Sequence, residues 1–190
     1  MSDSRHRGRP RLEETQHSII RAALELLRDK GPTAVNIDAV AARSGVARTT
    51  IYRRYRSRDE LLAAAINDIV DRPLPPQELS VPDKLRWVLE QVHDFMENGL
   101  GRGGIAGVLA DTDPAFTSAL RERIAHPLSS LMDIMTADVE AGRVSARIDP
   151  DTVVGLLFGA YLGEVLRHEE PRRDWLDRTV DLLADAITEH

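Results

Sequence analysis

Residues 37–55, IDAVAARSGVARTTIYRRY, gather the side chains whose types and spacing suit contact with a polyanion. Arg48, Thr49, Thr50, Tyr52 and Arg53 follow a Gly45-Val46-Ala47 turn and face outward on a short predicted helix, while Val46 and Ile51 are its buried anchors. An arginine at such a helix start can read guanine through two parallel hydrogen bonds, and a threonine can touch a thymine methyl. Ring hydroxyls and further arginines grip phosphates, which sets position without reading sequence. The helix before the turn offers small residues, Ala41 and Ala42, where a second helix would cross it. Together these residues predict a helix-turn-helix whose second helix enters the major groove. Asn36 is the expected N-cap of the first helix and is grouped with the residues facing nucleic acid. The plain alternative is a three-helix bundle with a solvated polar face.

Arg7-Gly8-Arg9-Pro10 is a second candidate. Extended Arg-Gly-Arg-Pro segments form the core of AT-hook motifs: glycine permits close backbone approach, and the arginines meet the negative potential of a narrow A·T minor groove. A basic solvated tail is the alternative.

Catalytic arrangements fare poorly. Asp111 and Asp113 could be paired carboxylates, but Asp113-Pro114 reads as a helix start. His168-Glu169-Glu170 places its groups on adjacent helix faces, not at the i, i+4 spacing of a metal site. No phosphate-cradling glycine loop lies between strand and helix. The chain has no cysteine, hence no disulfide or thiol chemistry. Neither an enzyme, a metal nor a cofactor is expected.

The elements that must position these residues are helices. Apolar positions recur at helical spacing over 15–30, and Lys30-Gly31-Pro32 closes that helix. Short helices are predicted over 37–44 and 48–55. Ser57-Arg58-Asp59-Glu60 is a capping box that opens a fourth. Pro73, Pro75, Pro76 and Pro82 mark an elbow near 72–81. Further helices are predicted over 82–98, 114–139, 150–168 and 175–189, with a glycine loop at 99–104, a short helix between it and Asp111, and a kink or split at Pro127. The expectation is an all-α chain of about nine helices. It divides into a basic flexible arm (1–12), a three-helix helix-turn-helix domain (13–72) and a helical body (73–190).

Charge divides likewise. Residues 1–58 hold 13 Lys and Arg against 6 Asp and Glu, and residues 59–190 hold 12 against 25, which sums to the net −6. A basic first third on an acidic body points to a polyanionic partner for that third. No apolar run is long enough to span a bilayer, so no membrane partner and a cytoplasmic location are expected.

From Ala22 to Ala65 the sequence resembles the tetracycline-repressor (TetR) type of DNA-binding domain. The resemblance is carried by Ala22, Leu26, Gly31, Ile37, Val40, Ala41, Gly45-Val46, the run Thr50 to Tyr55, and Ser57 to Leu62. It implies that Thr50, Tyr52, Tyr55 and Arg58 occupy DNA-contacting positions, and that Arg48 and Thr49 form the variable base-reading start. Two residues depart from the pattern. Ala47 stands where Ser often caps the recognition helix, and Asp38 stands where some members carry a basic residue.

The resemblance further implies a palindromic double-stranded DNA operator, a homodimer built on the last two helices, and a small-molecule effector bound in the body. Gly155, Gly159 and Gly163 share one helix face and would let backbones approach, with Leu176, Val180, Leu183 and Ile187 on the last helix. The alternative is that the glycines pack within their own subunit. Trp87, His93, Phe95, Met96, Phe116, Met132, Met135, Phe158 and Tyr161 are the candidate pocket residues, and their chemistry suits a lipophilic effector. The expected function is a repressor released by that effector; the rival is a constitutive DNA-binding module without one.

Overall fold

The computed structural model describes residues 8–168 and 170–188, with side chains from Leu12 onward. Among the described residues there are nine α-helices and no strand: α1 (Gly8–Lys30), α2 (Ile37–Ser44), α3 (Arg48–Arg54), α4 (Arg58–Val70), α5 (Val81–Asp94), α6 (Gly101–Leu109), α7 (Pro114–Glu140), α8 (Pro150–Arg167) and α9 (Trp175–Thr188).

Most starts are set by local chemistry, because a short polar side chain can take one of the leading N–H groups that a helix leaves unpaired. Asn36 accepts from Ala39 N–H at 2.9 Å, Ser57 from Glu60 at 3.1 Å, Asp113 from Phe116 at 3.0 Å and Asp149 from Thr152 at 2.9 Å. Glu60 reaches back past the cap to the Arg56 N–H at 2.7 Å. α3 follows Ala47 and has no side-chain cap. The turn before it uses Gly45 at φ 70°, a left-handed conformation that glycine adopts without a Cβ clash.

Three expectations are corrected. α1 starts at Gly8, so Gly8, Arg9 and Pro10 are helical and not an extended arm. Proline is tolerated in a first turn, where its missing N–H would have no partner, and Arg54 holds the next turn by donating to Leu12 O at 2.7 Å. Arg7 lies outside the described residues. α7 is not split at Pro127: the proline removes one hydrogen bond from a helix of 27 residues without ending it. The short helix expected before Asp111 is α6, but no glycine loop precedes it, as α5 passes through a π-helical turn (Phe95–Leu100) directly into α6.

The chain packs as two units. One combines the described residues up to Asp71 with Met96–Arg123; the other combines Arg72–Phe95 with the described residues from Ile124 onward. The chain thus leaves the first unit near the expected elbow, but returns to it for α6 and the start of α7. The first unit's core holds Ile19, Leu27, Val40, Ile51, Leu61, Ile66 and Phe116. Glycine explains how α6 fits there. A Cβ on Gly103 would lie 2.5 Å from Gly31 N and 2.7 Å from Leu27 O, so the end of α1 can approach only a bare backbone. The second unit's core includes Leu89, Val144, Leu157 and Tyr161.

Candidate nucleic-acid interface

The first unit leaves one polar face of α3 uncovered. Ile51 is fully buried, whereas Arg48, Thr49, Tyr52 and Arg53 are exposed and Thr50 is half-buried. Tyr52 stands 55% exposed, an unusual position for a large ring with no packing role. Arg48 Nε lies 2.9 Å from Asp38 Oδ1, an ion pair joining the start of α3 to the first turn of α2.

Other side chains hold this face in place. Arg43 of α2 reaches Glu25 at 3.2 Å and Asp29 at 3.3 Å on α1, and the Glu25 hydrogen bond foremost raises its pKa. Arg54, at the end of α3, donates to Leu12 O and to Gln16 Oε1 at 3.4 Å on α1. Sequence reasoning passed over Arg54 because nothing local separates it from Arg53; only the helical turn that points it at α1 does so.

Three residues expected to face DNA are packed or hydrogen-bonded within the fold. Tyr55 is 6% exposed, and burial foremost raises its phenol pKa, so its ring belongs to the core. Arg58 is turned inward: Nε donates to Val35 O at 2.7 Å, and Nη2 donates to Pro32 O at 2.6 Å and to Asp113 Oδ2 at 2.5 Å. Asn36 spends its polar atoms locally, Oδ1 on the α2 cap and Nδ2 on Ala34 O at 3.4 Å.

In the second unit, Gly155, Gly159 and Gly163 lie on an α8 face where an added Cβ would meet nothing within 4 Å. The alternative that they pack within their own subunit is therefore corrected. Leu156 and Leu166 flank them, exposed at 51% and 85%. On α9, Val180 and Ile187 are core residues and Leu176 and Leu183 are half-buried, while Leu182 is the large apolar side chain that stands out. The expected α9 stripe thus faces mostly inward. The signal for the outer stripe was its spacing opposite Val153, Leu157 and Tyr161.

The candidate pocket residues are divided between the two units. Met96 and Phe116 are buried in the first unit's core, so Phe95, Phe116 and Met132 do not share one unit. His93, Tyr161 and Trp175 pack their rings together with centroids 5.7–6.2 Å apart, and Phe95 meets Phe158 edge-on at 6.3 Å. Met132 and Trp87 are half-buried. Met135 alone of these lines a cavity of about 30 Å³, whose polar wall is Lys84 and Asp138. Lys84 Nζ donates to both Asp138 oxygens at 2.8 and 2.9 Å. No group of side chains among the described residues has the makings of a metal site, and no described helix is long and apolar enough to cross a membrane.

Comparison with known proteins agrees with this geometry. Residues 19–65 match the family described as bacterial regulatory proteins, tetR family, and residues 75–183 match a tetracyclin repressor-like C-terminal domain. An HTH-type transcriptional regulator of Mycobacterium tuberculosis strain H37Rv, itself uncharacterised, is 30% identical over 173 residues, covering 89% of this chain and 83% of the relative. A TetR-family regulator from Rhodococcus sp. has the same fold, with a TM-score of 0.69 at 23% identity over 93% of this chain and 100% of the other. The regulator FadR of Bacillus subtilis, solved with stearoyl-CoA, gives 0.65 at 18% identity over 92% and 99%. With both halves matched in order along most of its length, the chain belongs to the TetR family of DNA-binding transcriptional regulators.

Proposed function

We propose that the chain acts as a homodimeric repressor that reads a palindromic operator with Arg48, Thr49 and Thr50, and grips phosphates with Tyr52 and Arg53. The observation that carries this reading is the uncovered α3 face, polar and cationic at the end of a turn held firmly on α1.

Dimerisation would join the outer faces of α8 and α9 about a two-fold axis, because Gly155, Gly159, Leu156, Leu166 and Leu182 are apolar and have no cover in one subunit. Sedimentation of Gly159→Leu tests this directly. Monomers with weakened operator binding are expected, and a normal dimer overturns the interface.

A lipophilic effector is proposed to release the DNA, in keeping with the stearoyl-CoA held by FadR. It must favour the DNA-incompetent form, since equal affinity for both forms shifts nothing. A coupling of about 1–3 kcal/mol would lower operator affinity roughly 5- to 150-fold, and operator would weaken effector binding by the same factor. A thermal-shift screen of lipophilic compounds, followed by calorimetric titration with and without operator, tests this. Identical dissociation constants overturn the effector role. One observation favours the constitutive alternative: the cavity that Met135 lines, about 30 Å³, is far below the several hundred Å³ of small-molecule sites, so an effector bound at that place must open it.

A further inference from the structure

We propose that Asp38 is a positioning residue for sequence readout, holding Arg48 in the orientation that reads a base. This rests on the reading of Arg48 as a base-reading side chain. The Gly45 turn brings Asp38, in the first turn of α2, and Arg48, the first residue of α3, to 2.9 Å between Oδ1 and Nε. Both side chains are largely exposed, 62% and 64%, and an ion pair so exposed adds little to stability.

The pair also makes poor sense as general electrostatics. A carboxylate on the face of a basic domain repels the phosphates of every duplex alike. Its value must lie in what it does to Arg48. Arginine carries its donors in a planar fork, and Asp38 sits against the Nε corner. Arg48 has no other partner among the described residues, so both terminal nitrogens are left open. Those two nitrogens are the edge that fits O6 and N7 of guanine. Without a buttress, a guanidinium on a flexible stem turns toward the surrounding phosphates, and that contact carries no sequence information. Arg43, the arginine of α2, is engaged with Glu25 and Asp29 and does not compete for Asp38.

This arrangement gives the departure at Asp38 a role. A basic residue there would add a phosphate contact; an acidic one gives that up and fixes its neighbour's plane.

The test uses the full-length protein. A preferred duplex is selected from a randomised double-stranded pool, and its single-base variants are titrated by fluorescence anisotropy. Arg48→Ala is expected to flatten a guanine preference of about 5- to 150-fold at one position of each half-site. Asp38→Ala is expected to flatten that same position while binding the least-preferred duplex as well as wild type or better. The double variant should be no flatter than either single one. Asp38→Asn, which keeps the shape of the helix start, serves as a second variant, with melting curves confirming that both fold. If Asp38→Ala keeps the preference that Arg48→Ala loses, the positioning role is overturned and base reading by Arg48 stands. A uniform shift across all duplexes means that Asp38 acts by charge alone, and also overturns it. If Arg48→Ala changes no position, base reading by Arg48 fails, and this proposal with it.

Discussion

Arg58 Nη2 lies 2.5 Å from Asp113 Oδ2, and this contact ties the first residue of α4 to the cap of α7. The same guanidinium holds the carbonyls of Pro32 and Val35, on either side of the turn that leads into α2. Burial pushes the Asp113 carboxyl up, but the Phe116 N–H and the Arg58 guanidinium outweigh it and keep its pKa below the ordinary value. One arginine thus joins three segments that are far apart in sequence.

Arg58→Ala should therefore lower stability by about 1.5–3 kcal/mol, the range for hydrogen bonds to a charged group. Asp113→Ala should lower it by a comparable amount, and the double variant by less than the sum, since both remove one interaction. Denaturant titration of the three variants checks this. Additive losses would mean that the two residues act separately.

Arg53→Ala should act on DNA without acting on the fold. Arg53 is exposed on α3, and loss of one phosphate contact lowers the slope of log K against log salt by about 0.9. Arg58→Ala should leave that slope near the wild-type value while its melting temperature falls. Binding isotherms over a salt series separate the two arginines.

Gly103→Ala and Gly155→Ala should differ in sign. At Gly103 the added methyl meets the backbone of α1, which cannot move aside cheaply, so a loss of about 1–3 kcal/mol is expected. At Gly155 it meets nothing within one subunit, and the gain in helix propensity is about 0.5–1 kcal/mol. Unfolding of each variant at low protein concentration, below dimer formation, gives the comparison.

Acid should destabilise the protein in part through Glu164. Hydrogen bonds from Arg172, with Nε at 2.7 Å, hold its pKa at about 2 against an ordinary 4.5. A depressed carboxyl contributes stability that is complete above pH 4.5 and disappears as pH falls toward 2. Wild type should thus lose stability between these values more steeply than Glu164→Gln. Denaturant midpoints measured from pH 6 down to pH 3 test the difference, and parallel curves would exclude Glu164 as a source of the slope.

Several features could be read without a structure because their causes lie within a few residues of one another. Asn36, Ser57, Asp113 and Asp149 each cap a helix three residues on, and Gly45 makes its turn alone. The helix-turn-helix is legible for the same reason: Ile51 is buried and Tyr52 exposed by the helical period itself. Local rules misjudged the glycines at 101–104. Their composition suggests a loop, but contact with α1 stabilises a helix there that propensity disfavours.

What the sequence by itself determined is the order of the helices, the motif and the candidate reading face, since caps, turns and periodicity act at short range. Tertiary structure alone decided the work of each arginine. Arg48, Arg53, Arg54 and Arg58 carry the same guanidinium within eleven residues, yet one pairs with Asp38, one is exposed, one grips Leu12 O and one grips Asp113. A guanidinium takes its role from the acceptors around it, and here most of those acceptors come from parts of the chain that only folding brings near.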